Sequence, residues 1–388
     1  MKIFLTATEA AAELGVSVAT LYAYVSRGMI TSEAKAGSRS RLYRADDVRA
    51  LRSRHIERPR TNDPLLLTGQ GTIESRLTLI SEGRLFYRGV DVEELARHAS
   101  LESVATLLWD QQGDDPFAEP GGTVVRPKIG PLLSRMISGL TVAGDQDVAA
   151  HDHSPAGTAR TGARILRHLV VVATGAADHE LPIHAVMAAG WQRPKAPEII
   201  RAALVVSADH ELTKTTVAVR IAASIRASPY RAVTTGLACI DGPWHAGLSE
   251  RVARLFDEID QPKATERVLA AYMRRGEDIP GFGLLPVYKD IDPRARALLA
   301  VARNHAPGHP ALTLADAVMR GVDKLTRQQP NYFFAMVTAC RVAELPDDAP
   351  LALFAIGRAV GWIAHVIEQY DIPKLARARA RYVGVLPT

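Results

Sequence analysis

Twelve histidines and two cysteines bound the chemistry open to this 388-residue chain. His179-Glu180 followed by His184 has the composition of a helical zinc motif, which needs two histidines one turn apart with a glutamate between them. Here the histidines are five residues apart and Pro182 interrupts the helix such ligands require, so no metal site is expected. His151-Asp152-His153 sits in a Gly-, Asp- and Pro-rich stretch and reads as a solvated loop. Cys239 and Cys340 are too few for a disulfide framework or a cysteine zinc site and suit a reducing cytoplasm. No glycine-rich phosphate loop is present, so no bound dinucleotide cofactor is expected.

Charge is unevenly distributed. Residues 1–60 hold 11 Lys and Arg against 6 Asp and Glu, while the remainder holds 36 of each sign, so the whole net charge of +5 lies in the first segment. A basic module on a neutral body suits an anionic partner such as nucleic acid, and is equally the pattern of a solvated basic surface.

The elements that carry these residues follow from periodicity. Thr6 precedes Glu9 by three residues, a capping pattern that opens a short helix through Leu14. Ser17 caps a second helix that turns Leu21 and Val25 inward and leaves Ser17, Thr20, Tyr22 and Tyr24 for an outer surface. Arg39 to Tyr43 alternates like a short strand, and Asp46-Asp47 opens another helix. Arg58 to Pro64 is polar and Pro-flanked, hence a linker. Beyond it, Ala- and Leu-rich stretches with helical periodicity dominate: Asp91 to Trp109, Ala196 to Ser207, Thr213 to Ala227 and Leu351 to Tyr370. Apolar stretches such as Leu166 to Ala177 fall short of the roughly 18 to 20 residues of a membrane span. Met1 to Ala12 lacks a signal-peptide core.

The stretch TATEAAAELGVSVATLYAYVSRGMI followed by RSRLYRADDVRAL resembles the winged helix-turn-helix of the mercury-resistance-regulator (MerR-type) superfamily. The resemblance implies a DNA-reading helix bearing Ser17, Thr20, Tyr22 and Arg27, with Arg39 and Arg41 on a wing against phosphates. Domains of this kind also serve as interaction or folding accessories, and both roles stay open.

A second resemblance covers about 300 residues. GRLFYRGVDVEELARHASLESVATLLW at 83–109, the SADHEL to GPWHAGLSE stretch at 207–250 and PGFGLLPVYKDIDPRARAL at 280–298 are similar, in order, to citrate and 2-methylcitrate synthases. PNYFFAMV at 330–337, LFAIGRAVGWIAHVIEQ at 353–369 and ARARARYVG at 376–384 continue it. The resemblance implies an all-α fold with large and small helical domains behind the winged helix-turn-helix. The expected boundaries are 1–56 for that domain, 57–72 for the linker, 73–240 and 346–388 for the large domain, and 241–345 for the small one.

It also implies a substrate pair, an acyl-coenzyme A and a 2-oxo acid such as oxaloacetate, with coenzyme A bound near residues 281–289. Arg294, Arg358 and Arg377 match the forks that hold the oxo acid's carboxylates, Arg377 being lent by the neighbouring subunit of a homodimer. His245 matches the histidine that supports the enol, and His210 one that holds the oxo acid.

At two places the chain departs from that pattern. Leu284 replaces the carbonyl-polarising histidine, with one extra residue before Val287-Tyr288-Lys289, and Phe333 replaces the aspartate that takes the methyl proton. A positioned base contributes about 10² to 10⁴ in rate, so ordinary citrate synthesis is expected to be severely impaired. Glu277, Asp278, Asp290 and Asp292 are nearby carboxylates whose neighbours suggest surface or structural roles. Three readings follow: an enzyme of altered chemistry on the same substrates, a silent metabolite-sensing DNA-binding regulator, and a synthase with rearranged catalytic residues.

Overall fold

The computed structural model describes residues 4–14, 16, 18–26, 30–34, 41–48, 73–111, 113–119, 122, 124–242, 246–283, 287–288 and 290–372. The chain divides into two compact units, Met1–Gly69 and Gln70–Thr388.

In the first unit Thr6 and Glu9 close a capping box on helix Ala7–Leu14: Thr6 N donates to Glu9 Oε2 at 2.9 Å, and Glu9 N donates to Thr6 Oγ1 at 3.3 Å. Helix Val18–Ser26 follows. The strand Arg41–Arg44 lies between Phe4–Leu5 and Ser32–Ala34, antiparallel to both, with Phe4 opposite Arg44 and Ser32 opposite Tyr43. Leu5, Ala10, Ala11, Leu14, Leu21, Ile30, Tyr43 and Val48 form its own core. Tyr22 is 53% exposed, as its place on the outer helix face requires. Arg41 is exposed on the sheet and donates through Nη2 to the Ser32 carbonyl at 3.2 Å.

The second unit opens with an antiparallel sheet, Thr78–Ser81, Arg84–Tyr87 and Val90–Asp91, and is helical from there. The periodic stretch 91–109 is two helices rather than one, Val92–His98 and Leu101–Trp109. Ala99 is extended, and the Ser100 hydroxyl accepts from Ser103 N at 3.1 Å, which starts the second helix in a new direction. Helix Ala349–Tyr370 runs through the main core. It is long and apolar enough to cross a bilayer, yet 94% of its apolar window is buried inside the fold, which makes it a core helix.

That helix packs on Leu101–Trp109, Pro155–Thr174, Pro197–Ser207, Lys214–Ser224 and Pro229–Ile240. Its crossing with Pro197–Ser207 is close because Gly357 and Gly361 lack side chains. A Cβ on Gly361 would lie 2.2 Å from the Ala208 carbonyl oxygen, and one on Gly357 would lie 2.6 Å from that of Leu204. The backbone contact is sealed by Gly361 N donating to Ala208 O at 3.0 Å.

A second, smaller core gathers Val252, Leu255, Phe256, Leu269, Val318 and Phe334 from helices Ala246–Ile259, Thr265–Arg275, Pro310–Thr326 and Tyr332–Val342. The last of these helices serves both cores. Tyr332, Ala335, Met336 and Ala339 face the main one, Phe334 and Val337 face the smaller one, and Phe333 packs against both.

The close crossing yields a stability prediction. Gly361→Ala forces its methyl into the Ala208 carbonyl and is expected to cost about 1–3 kcal/mol, read as a lowered thermal midpoint. An unchanged midpoint would mean that the two helices do not meet there.

Candidate functional site

The crossing of Ala349–Tyr370 with the end of Pro197–Ser207 brings Arg358 beside Asp209 and His210. Arg358 is 2% exposed, and its Nη1 lies 3.7 Å from Asp209 Oδ1. Neither its Nε nor its Nη1 has a hydrogen-bond partner. A buried guanidinium with unused donors is poorly satisfied by the protein and well suited to an arriving anion. Asp209 is completely buried. Its Oδ2 accepts from Thr78 Oγ1 at 2.5 Å and from Glu211 N at 3.2 Å, and its Oδ1 lies 3.4 Å from His365 Nε2. Burial would raise the Asp209 pKa, but His365 and Arg358 outweigh it and hold the carboxyl below its ordinary range.

The second guanidinium, Arg294, enters from the first turn of helix Pro293–His305. A cation at a helix N-terminus opposes the dipole, and Asp292, the N-cap, compensates. Asp292 Oδ1 accepts from Arg294 N and Nε, both at 3.0 Å, and Oδ2 accepts from Nη2 at 2.7 Å. Burial alone would lower the Arg294 pKa, but the charge of Asp292 and its hydrogen bonds raise it above the ordinary value. The guanidinium lies 4.7 Å over the Tyr332 ring, whose hydroxyl is 2.6 Å from Ser207 Oγ. Burial pushes the Tyr332 phenol up to about 12.

His210 completes the cluster. Burial, reinforced by Arg294 and Arg358, drives its pKa well below the ordinary value, so the ring is neutral at pH 7. Its Nε2 is 2.7 Å from the Tyr288 hydroxyl, and Tyr288 is itself raised by burial and keeps its proton. The described cluster thus offers donors and positive charge that can hold an anion with a carbonyl; Asp292 is bound to Arg294, and Asp209 hydrogen-bonds through Oδ2 while Oδ1 lies against Arg358 and His365 without a hydrogen bond.

Phe333 stands at the head of helix Tyr332–Val342. Asn331 caps this helix, its Oδ1 accepting from Phe333 N at 3.0 Å and Phe334 N at 3.4 Å. The Phe333 ring lies 5.2 Å from that of Tyr332 and 6.5 Å from that of Phe354. Asn331 N also donates to the Gly281 carbonyl at 2.9 Å, where φ is +85° and a Cβ would strike Phe334 at 2.9 Å. A separate cavity of about 440 Å³ is lined by Arg296, Arg303, Arg320, Gln328 and Pro330 among others.

The family model for citrate synthase, C-terminal domain, matches residues 66–116 and 142–379. The chain belongs to the citrate synthase family. A helix-turn-helix domain model matches residues 4–55, ahead of the citrate synthase region. Among relatives, a putative citrate synthase 2 of Mycobacterium tuberculosis is 30% identical over 334 residues, covering 79% of this chain and 88% of that protein. Citrate synthase 2 of Bacillus subtilis is 25% identical over 354 residues, 82% of this chain and 95% of that one. A 2-methylcitrate synthase of Shewanella oneidensis is 25% identical over 362 residues, covering 83% and 95%. Solved citrate synthase structures share the fold. Citrate synthase from Thermotoga maritima superposes with a TM-score of 0.69 at 24% identity, over 84% of this chain and 96% of that one. The Thermoplasma acidophilum enzyme, solved as a ternary complex with carboxymethyl coenzyme A and oxaloacetate, gives 0.67 at 23%, over 83% and 96%.

Within this citrate synthase fold, His210, Arg294 and Arg358 come together, and Phe333 adjoins them through Tyr332. His245, Leu284 and Arg377 lie outside the described residues, as do Ser17, Arg27, Arg39 and the linker stretch 58–64. Arg294 differs from a free fork: Asp292 occupies its Nε and one proton of Nη2, leaving the Nη1 end for a ligand. Glu277, Asp278 and Asp290 are exposed, and Asp292 is committed to Arg294. Sequence reasoning missed Asp209, Tyr288, Tyr332 and His365. Each sits inside a matched motif, but none carries a spacing that marks it as part of a cluster.

Asp209 makes the cluster pH-sensitive. Because its folded pKa is depressed, its stabilisation is fully present above the unfolded value of about 3.9 and is lost as pH falls through the lower folded value. The thermal midpoint of Asp209→Asn is therefore expected to lie furthest below wild type at pH 5–7, with the gap narrowing below pH 4. A gap that is constant over this range would count against a buried, ionised Asp209.

Proposed function

We propose that this citrate-synthase-family protein binds a 2-oxo acid and an acyl-coenzyme A, and carries out altered chemistry in which residue 333 removes no proton. The observation that carries the proposal is the pairing of an anion cluster (Arg358 with unused donors, Arg294, neutral His210) with a phenyl ring at the head of helix Tyr332–Val342. The cluster suits the carboxylates and the oxo group of such an acid. Phe333 offers no lone pair to accept the methyl proton of an acyl thioester. Reactions that need no proton exchange at that methyl, such as thioester hydrolysis or decarboxylation of an oxo acid, keep the cationic cluster useful, because it stabilises the negative charge that develops on oxygen. In the separate cavity Arg296 is paired with Glu93 and Arg303 with Asp316, and Asp323 also lines it, so Arg320 is the charge it offers to a phosphorylated ligand portion of the coenzyme A kind. A 2-oxo acid and carboxymethyl coenzyme A in the Thermoplasma acidophilum structure support the same substrate class.

A regulatory reading is favoured by one observation, the N-terminal unit that matches a helix-turn-helix domain and exposes Tyr22 and Arg41. In it, DNA binding by residues including Thr20, Tyr22 and Arg41 responds to a ligand held in the body. A DNA gel-shift that changes with oxaloacetate supports it; a shift indifferent to the ligand removes it.

The main proposal is tested by thiol release from acetyl- and propionyl-coenzyme A with and without oxaloacetate, with products read by mass spectrometry. Thioester cleavage or binding without a tricarboxylate product is expected, and efficient tricarboxylate formation would restore the synthase reading. Oxaloacetate should also raise the thermal midpoint. Arg358→Met should weaken that ligand by about 10- to 100-fold, the equivalent of losing a charged hydrogen bond. Arg377 is proposed to reach the site from the second copy of a homodimer. Truncation after residue 375 should then abolish oxaloacetate binding without unfolding the body, and retained affinity would overturn the shared site.

A further inference from the structure

Arg294 is gripped along one edge by a carboxylate and rests on an aromatic face. Asp292 takes its Nε and Nη2, and the guanidinium carbon lies 4.7 Å from the centre of the Tyr332 ring, which leaves the Nη1 end. Arg358 rests in the same way on Phe354, 5.4 Å from the ring centre. The two rings meet edge-on, 6.1 Å apart at 64°. We infer that Tyr332 is a positioning residue: its ring seats Arg294 and, through contact with Phe354, brings that guanidinium to the same anionic ligand as Arg358. This deepens the proposed function and rests on it for the ligand.

The ring does this, not the hydroxyl. Ser207 Oγ donates its one proton to the Ala203 carbonyl at 2.5 Å, so in its 2.6 Å contact with Tyr332 the phenol is the donor and its proton is spent. What Tyr332 still offers Arg294 is the negative face of its π system, which attracts a cation most strongly where water is excluded. Water is excluded here, Tyr332 being 1% exposed and Arg294 5%. The ring is also braced on several sides. Ser207 ties its far end, and Phe333 abuts it at 5.2 Å and 76°, beside the Phe354 contact. A braced ring fixes where the guanidinium rests, and Asp292 fixes its rotation, so the direction of Nη1 is set before a ligand arrives. An arginine free to swing would have to be ordered by the ligand, which costs affinity. Arg358, with its Nε and Nη1 buried and unpartnered, supplies the second set of donors, and the ring pair carries both cations on one aromatic surface.

Two measurements on the full chain test this: titration calorimetry with oxaloacetate, run well below the thermal midpoint, and the Nε–H proton signal of Arg294 in protein isotope-labelled at its arginine nitrogens, assigned through Arg294→Lys. Protons over an aromatic face resonate upfield, so Tyr332→Leu should move that signal downfield and weaken oxaloacetate about tenfold. Tyr332→Phe keeps the ring and should retain both the signal and the affinity. An oxaloacetate affinity unchanged in Tyr332→Leu, with only the midpoint lowered, marks Tyr332 as a core residue and overturns the inference. Tyr332→Phe as weak as Tyr332→Leu overturns it as well, the hydroxyl then being the active group. A wild-type chain that binds no oxaloacetate removes the proposed function; the Arg294 signal then judges the seat by itself, and no movement in Tyr332→Leu overturns it. Should Tyr332→Leu not fold, Tyr332→Met takes its place in both measurements.

Discussion

The contact on which the rest of the body depends is the approach of Arg358 to Asp209 at the place where helix Ala349–Tyr370 crosses the turn after Pro197–Ser207. Two ions are removed from water there, at a cost of several kcal/mol each that only close pairing and hydrogen bonding can offset. Asp209 meets that condition at Oδ2 through Thr78 and the Glu211 amide, while its Oδ1 has no hydrogen bond and lies 3.4 Å from His365 Nε2. Arg358 meets it only in part, because 3.7 Å separates the charges and two of its nitrogens have no partner. The helix can come so near only because Gly357 and Gly361 leave its surface bare. Backbone contact, ion pair and anion site are therefore one arrangement.

From that crossing a chain of polar contacts extends outward. Arg220 donates through Nη1 to Glu368 at 2.6 Å and through Nε to Gln369 at 3.0 Å. Its Nη1 is also 3.2 Å from His365 Nδ1. A guanidinium can only donate, so Nδ1 of His365 accepts and the ring's proton lies on Nε2, toward Asp209. Glu368 accepts in turn from the Arg76 amide at 2.8 Å, tying the start of the body to its last described helix.

Chemistry follows from which groups in this network remain free. Asp292 is taken up by Arg294, Asp209 keeps one oxygen without a hydrogen bond, the imidazole of His210 is neutral, and the phenols of Tyr288 and Tyr332 keep their protons. The phenyl ring of Phe333 has no lone pair with which to accept a proton. The helix-turn-helix unit adds a basic module with its own core.

The sequence alone was enough for the helical character of the body, the capping of the N-terminal unit's first helix by Thr6 and Glu9, and the citrate synthase family. These are local: periodicity, caps and residue type are properties of short stretches and survive without knowing what packs on what. The break at Ala99 escaped a periodicity reading because two helices sharing one apolar pattern look like one. The tertiary structure decided what depends on distant partners: that Arg294 is already gripped by Asp292, that Arg358 is left with free donors, and that Tyr288 meets His210 across 78 residues of chain. Burial, charge balance and the protonation state of His210 arise only when helices cross, and no spacing along the chain encodes where they do.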